Sequence, residues 1–262
     1  MTRTLIIGDS HVVALAQGYA SSTRPADAQN GIQFGKLFPS PACLEPFFEA
    51  SGGRVELLDQ EARGVLGDLT GRPCFSAADR DLKFCISLGF TTTVLMSLDT
   101  WITHAPWRFN GGGQVQLMSD AVFRALTLHH FRHVLAFYQA LRSLDLQCLA
   151  VAAPPPLIGG EWFSKGVDEQ VLLLVDVMAR QVVAAELRKL GVPCVSPPPE
   201  SYVGQGPSGL RRPQFKGDGA KGFVHANAEY GRLMMDRVLD EIGRMAQPSP
   251  PRSASLARAT CD

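Results

Sequence analysis

The sequence predicts an α/β domain whose mostly parallel sheet is covered by helices on both faces. Three features lead there. Short apolar runs with little alternation recur along the chain, as strands buried on both faces require. Helical patterns with an apolar stripe separate them. The first apolar run, Thr4 to Gly8, ends in the turn Gly8-Asp9-Ser10-His11 and passes into a stretch of good helix formers.

Taken in order, Thr4 to Gly8 form the first strand and His11 to Tyr19 the helix after it, with Ser10 at the junction. Ile32 to Phe38 and Arg54 to Leu58 are weaker strand candidates, separated by a segment containing Pro and Gly. Lys83 to Leu88 and Gln147 to Ala153 read as strands covered on both faces, and Val192 to Ser196 as the last strand. Ser119 is placed to cap a helix running to about Ser143, with Val122, Leu126, Leu135 and Tyr138 at apolar positions. Asp168 caps another, with Val171, Val175, Met178, Val182 and Leu187 on one face and Gly191 just past its end. The final helix, from about Ala226 to Met245, aligns Tyr230, Met234, Val238 and Ile242. Residues 1–246 make one domain, and the Pro-, Ser-, Ala- and Arg-rich stretch 247–262 reads as a disordered tail. Residues 99–118 read as a long loop holding Trp101, Trp107, Phe109 and the run Gly111-Gly112-Gly113.

Composition narrows the class of function. Lys and Arg number 25 and Asp and Glu also 25, so no global field holds nucleic acid or an anionic membrane. Cys43, Cys74, Cys85, Cys148, Cys194 and Cys261 are scattered without CxxC or Cys/His ligand spacing. Cys85 and Cys148 fall inside apolar runs, where thiols act as small core hydrophobes. The apolar stretch Leu5 to Ile7 is too short for a secretory signal. No run reaches the ~18 apolar residues of a membrane span. The expected location is the cytoplasm.

Ser10 carries the chemistry. A serine hydroxyl becomes a nucleophile when a base removes its proton and a third group orients that base. Between a strand and a helix, the hydroxyl is open to substrate and lies beside the amides of the helix start, which favour a developing oxyanion. The competing reading is that Ser10 only caps the helix. Near the other end of the chain, His225 stands at the start of the last helical stretch in a Gly-rich loop, with Asp218 upstream. These residues can serve as general base and as the group that fixes its tautomer.

Leu5-Ile6-Ile7-Gly8-Asp9-Ser10-His11 resembles the first block of the SGNH/GDSL hydrolases. Ala62-Arg63-Gly64-Val65-Leu66-Gly67-Asp68 is similar to the second block, and His225-Ala226-Asn227 with Tyr230-Gly231 to the last. The resemblance implies a three-layer α/β/α, flavodoxin-like fold with a mainly parallel five-stranded sheet. It also implies an ester hydrolase needing neither metal nor organic cofactor, with an oxyanion hole built from the amides of Ser10 and Gly67. Two departures stand out. Gly89-Phe90-Thr91 places Thr91 where the family has an asparagine donor, and losing one such donor costs about 10²–10³ in rate. The family's acid lies three residues before the histidine, where this chain has Gly222, so Asp218 reaches His225 only through a bulged loop, or a Ser–His dyad operates. The expected substrate is a small-molecule or glycan ester, with short-chain acyl groups such as acetyl in view. An O-acyltransferase using the same residues and a non-catalytic binding domain are the alternatives.

Other signals weigh less. His129 and His133 have i, i+4 spacing, but no third zinc ligand accompanies them. Gly111-Gly112-Gly113 lacks the strand and Lys-Ser/Thr of a phosphate cradle. Trp101, Trp107 and Phe109 suit either a lid over the substrate or ordinary packing. Arg211-Arg212, near the histidine loop, is placed to meet an anionic substrate, though solvated charge is the default. His11 is expected to point away from Ser10.

Overall fold

The computed structural model describes residues 3–22, 31–88, 90–112, 114–157, 166–203, 209–218 and 225–245. The expected tail, 247–262, lies outside them. A five-stranded parallel sheet runs β2-β1-β6-β9-β10, built from β1 (Thr4–Gly8), β2 (Ile32–Lys36), β6 (Lys83–Ser87), β9 (Gln147–Val151) and β10 (Cys194–Val195). Every residue of β1 is buried, because helices cover both faces. Leu5 and Ile7 enter one core, while Ile6 enters a second core on the opposite face. This explains the unalternating sequence. The molecule is a three-layer α/β/α sandwich.

The second core is closed by α1 (His11–Ala20) and α7 (Ala228–Met245), which supply Leu15, Tyr19, Tyr230, Met234 and Val238. On the other face lie α2 (Gln60–Thr70), the short α3 (Thr93–Met96), α4 (Asp120–His130), α5 (Arg132–Ser143) and α6 (Glu169–Lys189). Asp168 caps α6 by accepting from Gln170 N at 2.7 Å, and Gly191 beyond its end adopts φ +68°. No helix among the described residues is long and apolar enough to cross a membrane.

Three expectations need correction. Arg54–Leu57 is not a strand of the main sheet. As β4 it pairs antiparallel with β3 (Phe48–Ser51) and β5 (Cys74–Ser76), with Gly52 and Gly53 turning the hairpin at φ +55° and +73°. Val55 and Leu57 are buried while Arg54 and Glu56 are exposed, the alternation of a sheet with one wet face. The single helix expected from Ser119 to Ser143 breaks at Phe131, whose φ of −93° and ψ of 11° separate α4 from α5. Just upstream, Thr127 Oγ1 donates back to Phe123 O at 2.9 Å, a contact that bends helices. Residues 99–118 also carry structure: β7 (His104–Pro106) pairs in parallel with β8 (Gln116–Met118). Trp101 is buried there and donates to Leu95 O at 2.7 Å.

Helices α1 and α7 touch backbone to backbone. A Cβ on Gly231 would lie 1.8 Å from Ala14 O, and one on Gly18 would lie 2.1 Å from Arg232 N. Only glycine fits at either position. Gly231→Ala should therefore cost about 1–3 kcal/mol in urea unfolding. Gly243→Ala, in open space on the same helix, should instead stabilise by about 0.5–1 kcal/mol. Equal effects of the two substitutions would contradict the close contact.

Candidate active site

The site begins where β1 ends. A Cβ on Gly8 would lie 2.0 Å from Ser87 O, so only glycine lets the strand pass this close to β6. Asp9 N donates to that same Ser87 carbonyl at 2.9 Å. The Asp9 side chain is buried and works as a buckle. Its Oδ1 accepts from His11 N at 2.9 Å, and its Oδ2 accepts from Ser40 Oγ at 2.6 Å. The turn after β1 is thereby tied to the turn after β2. Ser10 makes no capping bond with α1; its Oγ instead lies 2.9 Å from Nε2 of His225.

His225 is delivered by a braced loop. Lys216 and Ala226 form an antiparallel bridge, and Gly217 N donates to His225 O at 2.9 Å. Asn227 then caps the last helix, its Oδ1 accepting from Tyr230 N at 3.1 Å while its Nδ2 donates to Gln214 O at 2.7 Å. The motif asparagine thus fixes both the helix start and the preceding turn. Asp218 follows Gly217 on the same segment and is exposed to solvent. Gly222 lies outside the described residues.

The expected oxyanion donors fare differently. Gly67 is an interior residue of α2, where its amide belongs to the helical ladder and its carbonyl accepts from Gly71 N at 2.7 Å. It faces Arg72 and Pro73, and it cannot serve the serine. The segment beyond β2 that does reach the motif is the turn at Ser40, whose hydroxyl binds Asp9. Thr91 follows β6, which neighbours β1. It is buried, and its Oγ1 has no hydrogen-bond partner among the described residues.

Below this rim is a buried polar layer that sequence reasoning missed. Arg180 of α6 donates through Nε to both oxygens of Asp176, at 2.9 and 3.0 Å. Its Nη1 reaches Ala153 O at 2.8 Å, and its Nη2 reaches Pro154 O at 3.0 Å and Thr92 Oγ1 at 3.3 Å. Thr92 in turn donates to Asp176. One ion pair therefore holds the loops that leave β6 and β9, including the loop that presents Thr91. Sequence gave one hint, an Asp and an Arg at i, i+4 inside an otherwise apolar helix face.

Arg211 departs from expectation, and His11 lies beside the candidate base. His11 is buried, with its ring edge-on to that of His225 at 5.8 Å between centroids. Burial lowers its pKa, and the nearby charges of His225, Arg211 and Arg180 act in the same direction against Asp9. A second imidazole, whose burial disfavours its charged form, therefore stands beside that of His225. Arg211 is buried, not solvated, and burial pulls its guanidinium down to about 10. Arg212 is exposed and donates to Tyr202 O at 2.7 Å. Of the suggested lid aromatics, Trp101 and Phe109 are core residues; only Trp107 is exposed, with the Arg108 guanidinium 5.3 Å from its ring. No group of three His, Cys, Asp or Glu side chains among the described residues is arranged to hold a metal.

No family model matches the chain, and no curated protein matches it. Among solved structures, one similar chain is a GDSL-like lipase from Bacteroides thetaiotaomicron VPI-5482. It is 10% identical with a TM-score of 0.49, covering 93% of this chain and 89% of that one. Another is a "putative acylhydrolase" from Bacteroides fragilis NCTC 9343, 9% identical with a TM-score of 0.47, covering 94% of this chain and 88% of that one.

Two outcomes test the buried charges. Asp176→Ala leaves Arg180 uncompensated and should cost about 3–5 kcal/mol in denaturant unfolding, well beyond an exposed-pair control such as Asp236→Ala. The other concerns His130, whose pKa burial pushes down to about 4. Between its ordinary value of 6.5 and about 4 the unfolded chain binds the extra proton and the folded chain does not, so stability falls as pH falls through that window. In His130→Gln, the slope of urea midpoint against pH should be shallower over this range.

Proposed function

We propose that the chain is a serine esterase acting on carboxylic esters through an acyl-serine intermediate. The observation that carries this reading is the 2.9 Å contact between Ser10 Oγ and His225 Nε2, made at the carboxyl end of a central parallel strand. Ligands of open parallel sheets bind at that edge.

In the first step His225 Nε2 takes the Ser10 proton while Oγ attacks the ester carbonyl. The negative charge on the former carbonyl oxygen meets the Ser10 amide, the amide of Ser40 at the start of its turn, and the Thr91 hydroxyl. Collapse of the adduct expels the alcohol, which takes its proton from the His225 imidazolium. Water, deprotonated by His225, then attacks the acyl carbon and frees the acid and Ser10. Main-chain braces at Gly217 and Ala226 hold the base, and the exposed Asp218 is not called on for proton transfer.

Fluorophosphonate labelling tests this reading. The native chain should label, whereas Ser10→Ala and His225→Ala should not, and each should lose at least about 10³-fold in kcat with p-nitrophenyl acetate. Asp218→Asn should label like the native chain. A folded native protein that does not label would sink the esterase and leave a binding domain.

A further inference from the structure

Resting on that esterase reading, we infer that the substrate is an acetyl ester and that a small apolar pocket beside Thr91 sets the limit on acyl length. The pocket is lined by Ser40, Cys43, Leu44, Thr91, Val94 and, from the junction of α4 and α5, His130, Phe131 and Val134. Two of these residues stand on segments next to the serine's strand: Ser40 on the turn after β2 and Thr91 after β6, and both strands pair with β1. Ser40 is bonded to Asp9, next in sequence to Ser10, and Thr91 brings a buried hydroxyl without a hydrogen-bond partner among the described residues.

The two faces of the sheet decide which part of an ester goes where. His225 must hand a proton to the leaving alcohol, so the alcohol lies on the His225 side. That side belongs to α1 and α7, whose residues form the second core. Cys43, Phe131 and Val134 belong to the core on the opposite face. An ester straddling Ser10 with its alcohol toward His225 therefore directs its acyl group toward this pocket.

The pocket is small. The volume open to the centre of a water-sized sphere is about 10 Å³, room for roughly one such sphere. On that measure the pocket takes a methyl group more readily than a propyl chain. The walls are fixed: Phe131, Val134 and Cys43 are each buried to within 3% of full burial. Burial raises the Cys43 thiol, so this cysteine serves as a wall and not as a competing nucleophile.

The test is a chain-length series with p-nitrophenyl acetate, butyrate and octanoate on the native chain, Val134→Ala and Leu44→Ala. Leu44 is only half-buried and guards against a core variant that fails to fold. The native enzyme should prefer acetate over butyrate by at least about tenfold in kcat/KM, since a tight pocket discriminates about 10–200-fold per methylene. At least one variant should bring that ratio down about tenfold while its fluorophosphonate labelling stays native. Turnover with native-like butyrate or octanoate rates would overturn the pocket assignment alone, as would a steep preference for acetate that neither folded variant relaxes. Absence of both labelling and turnover would overturn the esterase reading together with the pocket.

Discussion

Everything at the site depends on how closely two helices approach. Helix α1 starts just after Ser10 and α7 starts just after His225, and the two are more than 200 residues apart in sequence. Hydrogen-bonding geometry tolerates errors of a few tenths of an ångström. The Gly18–Gly231 crossing supplies that precision because backbone packed against backbone has no rotamers with which to adjust. Asn227 then converts helix position into histidine position, since its side chain ties the first turn of α7 to Gln214. Once α7 is seated on α1, there is little freedom left in where His225 can go.

The other face of the sheet solves a different problem by different means. The loops that leave β6 and β9 have no repeating backbone pairing with which to fix themselves. Arg180 supplies it, presenting a rigid planar fork of donors to two loop carbonyls while Asp176 neutralises its charge. A lysine there would keep the charge and lose the shared geometry. Asp9 does on a smaller scale for β1 and β2 what Arg180 does for β6 and β9. The strands that flank Ser10 are thus linked by side chains at the same edge where they diverge.

What the sequence revealed follows from where information is stored. Ser10 and His225 were legible because each sits in a contiguous motif whose residue types have a chemical reason. Strands β1, β6 and β9 were legible because burial on both faces removes alternation, whereas β2, with only Gly35 buried, read as a weaker candidate. Gly67 was misread because a Gly-x-x-Gly-Asp pattern suits loops and helices alike. The correct signal was nearby: Asp59 caps a helix by accepting from Ala62 N, and Ala62 and Leu66 bury at i, i+4. Gly18 and Gly231 could not be found this way. Within a single helix a glycine registers only as a weak residue, and its purpose appears when the second helix arrives. Arg211 was taken for solvated charge for the same reason, since nothing local reports that tertiary structure will bury it.

Thr91 shows how local cost and function are related. A buried hydroxyl left without a partner costs about 1–3 kcal/mol, and a valine of nearly the same shape would avoid that penalty. Tyr138 and Trp101 are satisfied, donating to Ile86 O at 3.0 Å and to Leu95 O at 2.7 Å, whereas the buried Tyr230 hydroxyl, like that of Thr91, has no partner among the described residues. At Thr91 the backbone is held by its neighbour Thr92 through Asp176 and Arg180, so the loop keeps its shape without help from the Thr91 side chain. In the proposed reaction the hydroxyl is left available to the developing negative charge. A carboxamide at this position would extend farther, into the space that an acyl methyl would occupy beside Val94 and Val134. In the proposed enzyme a shorter donor and a smaller acyl pocket would then be two aspects of one packing solution.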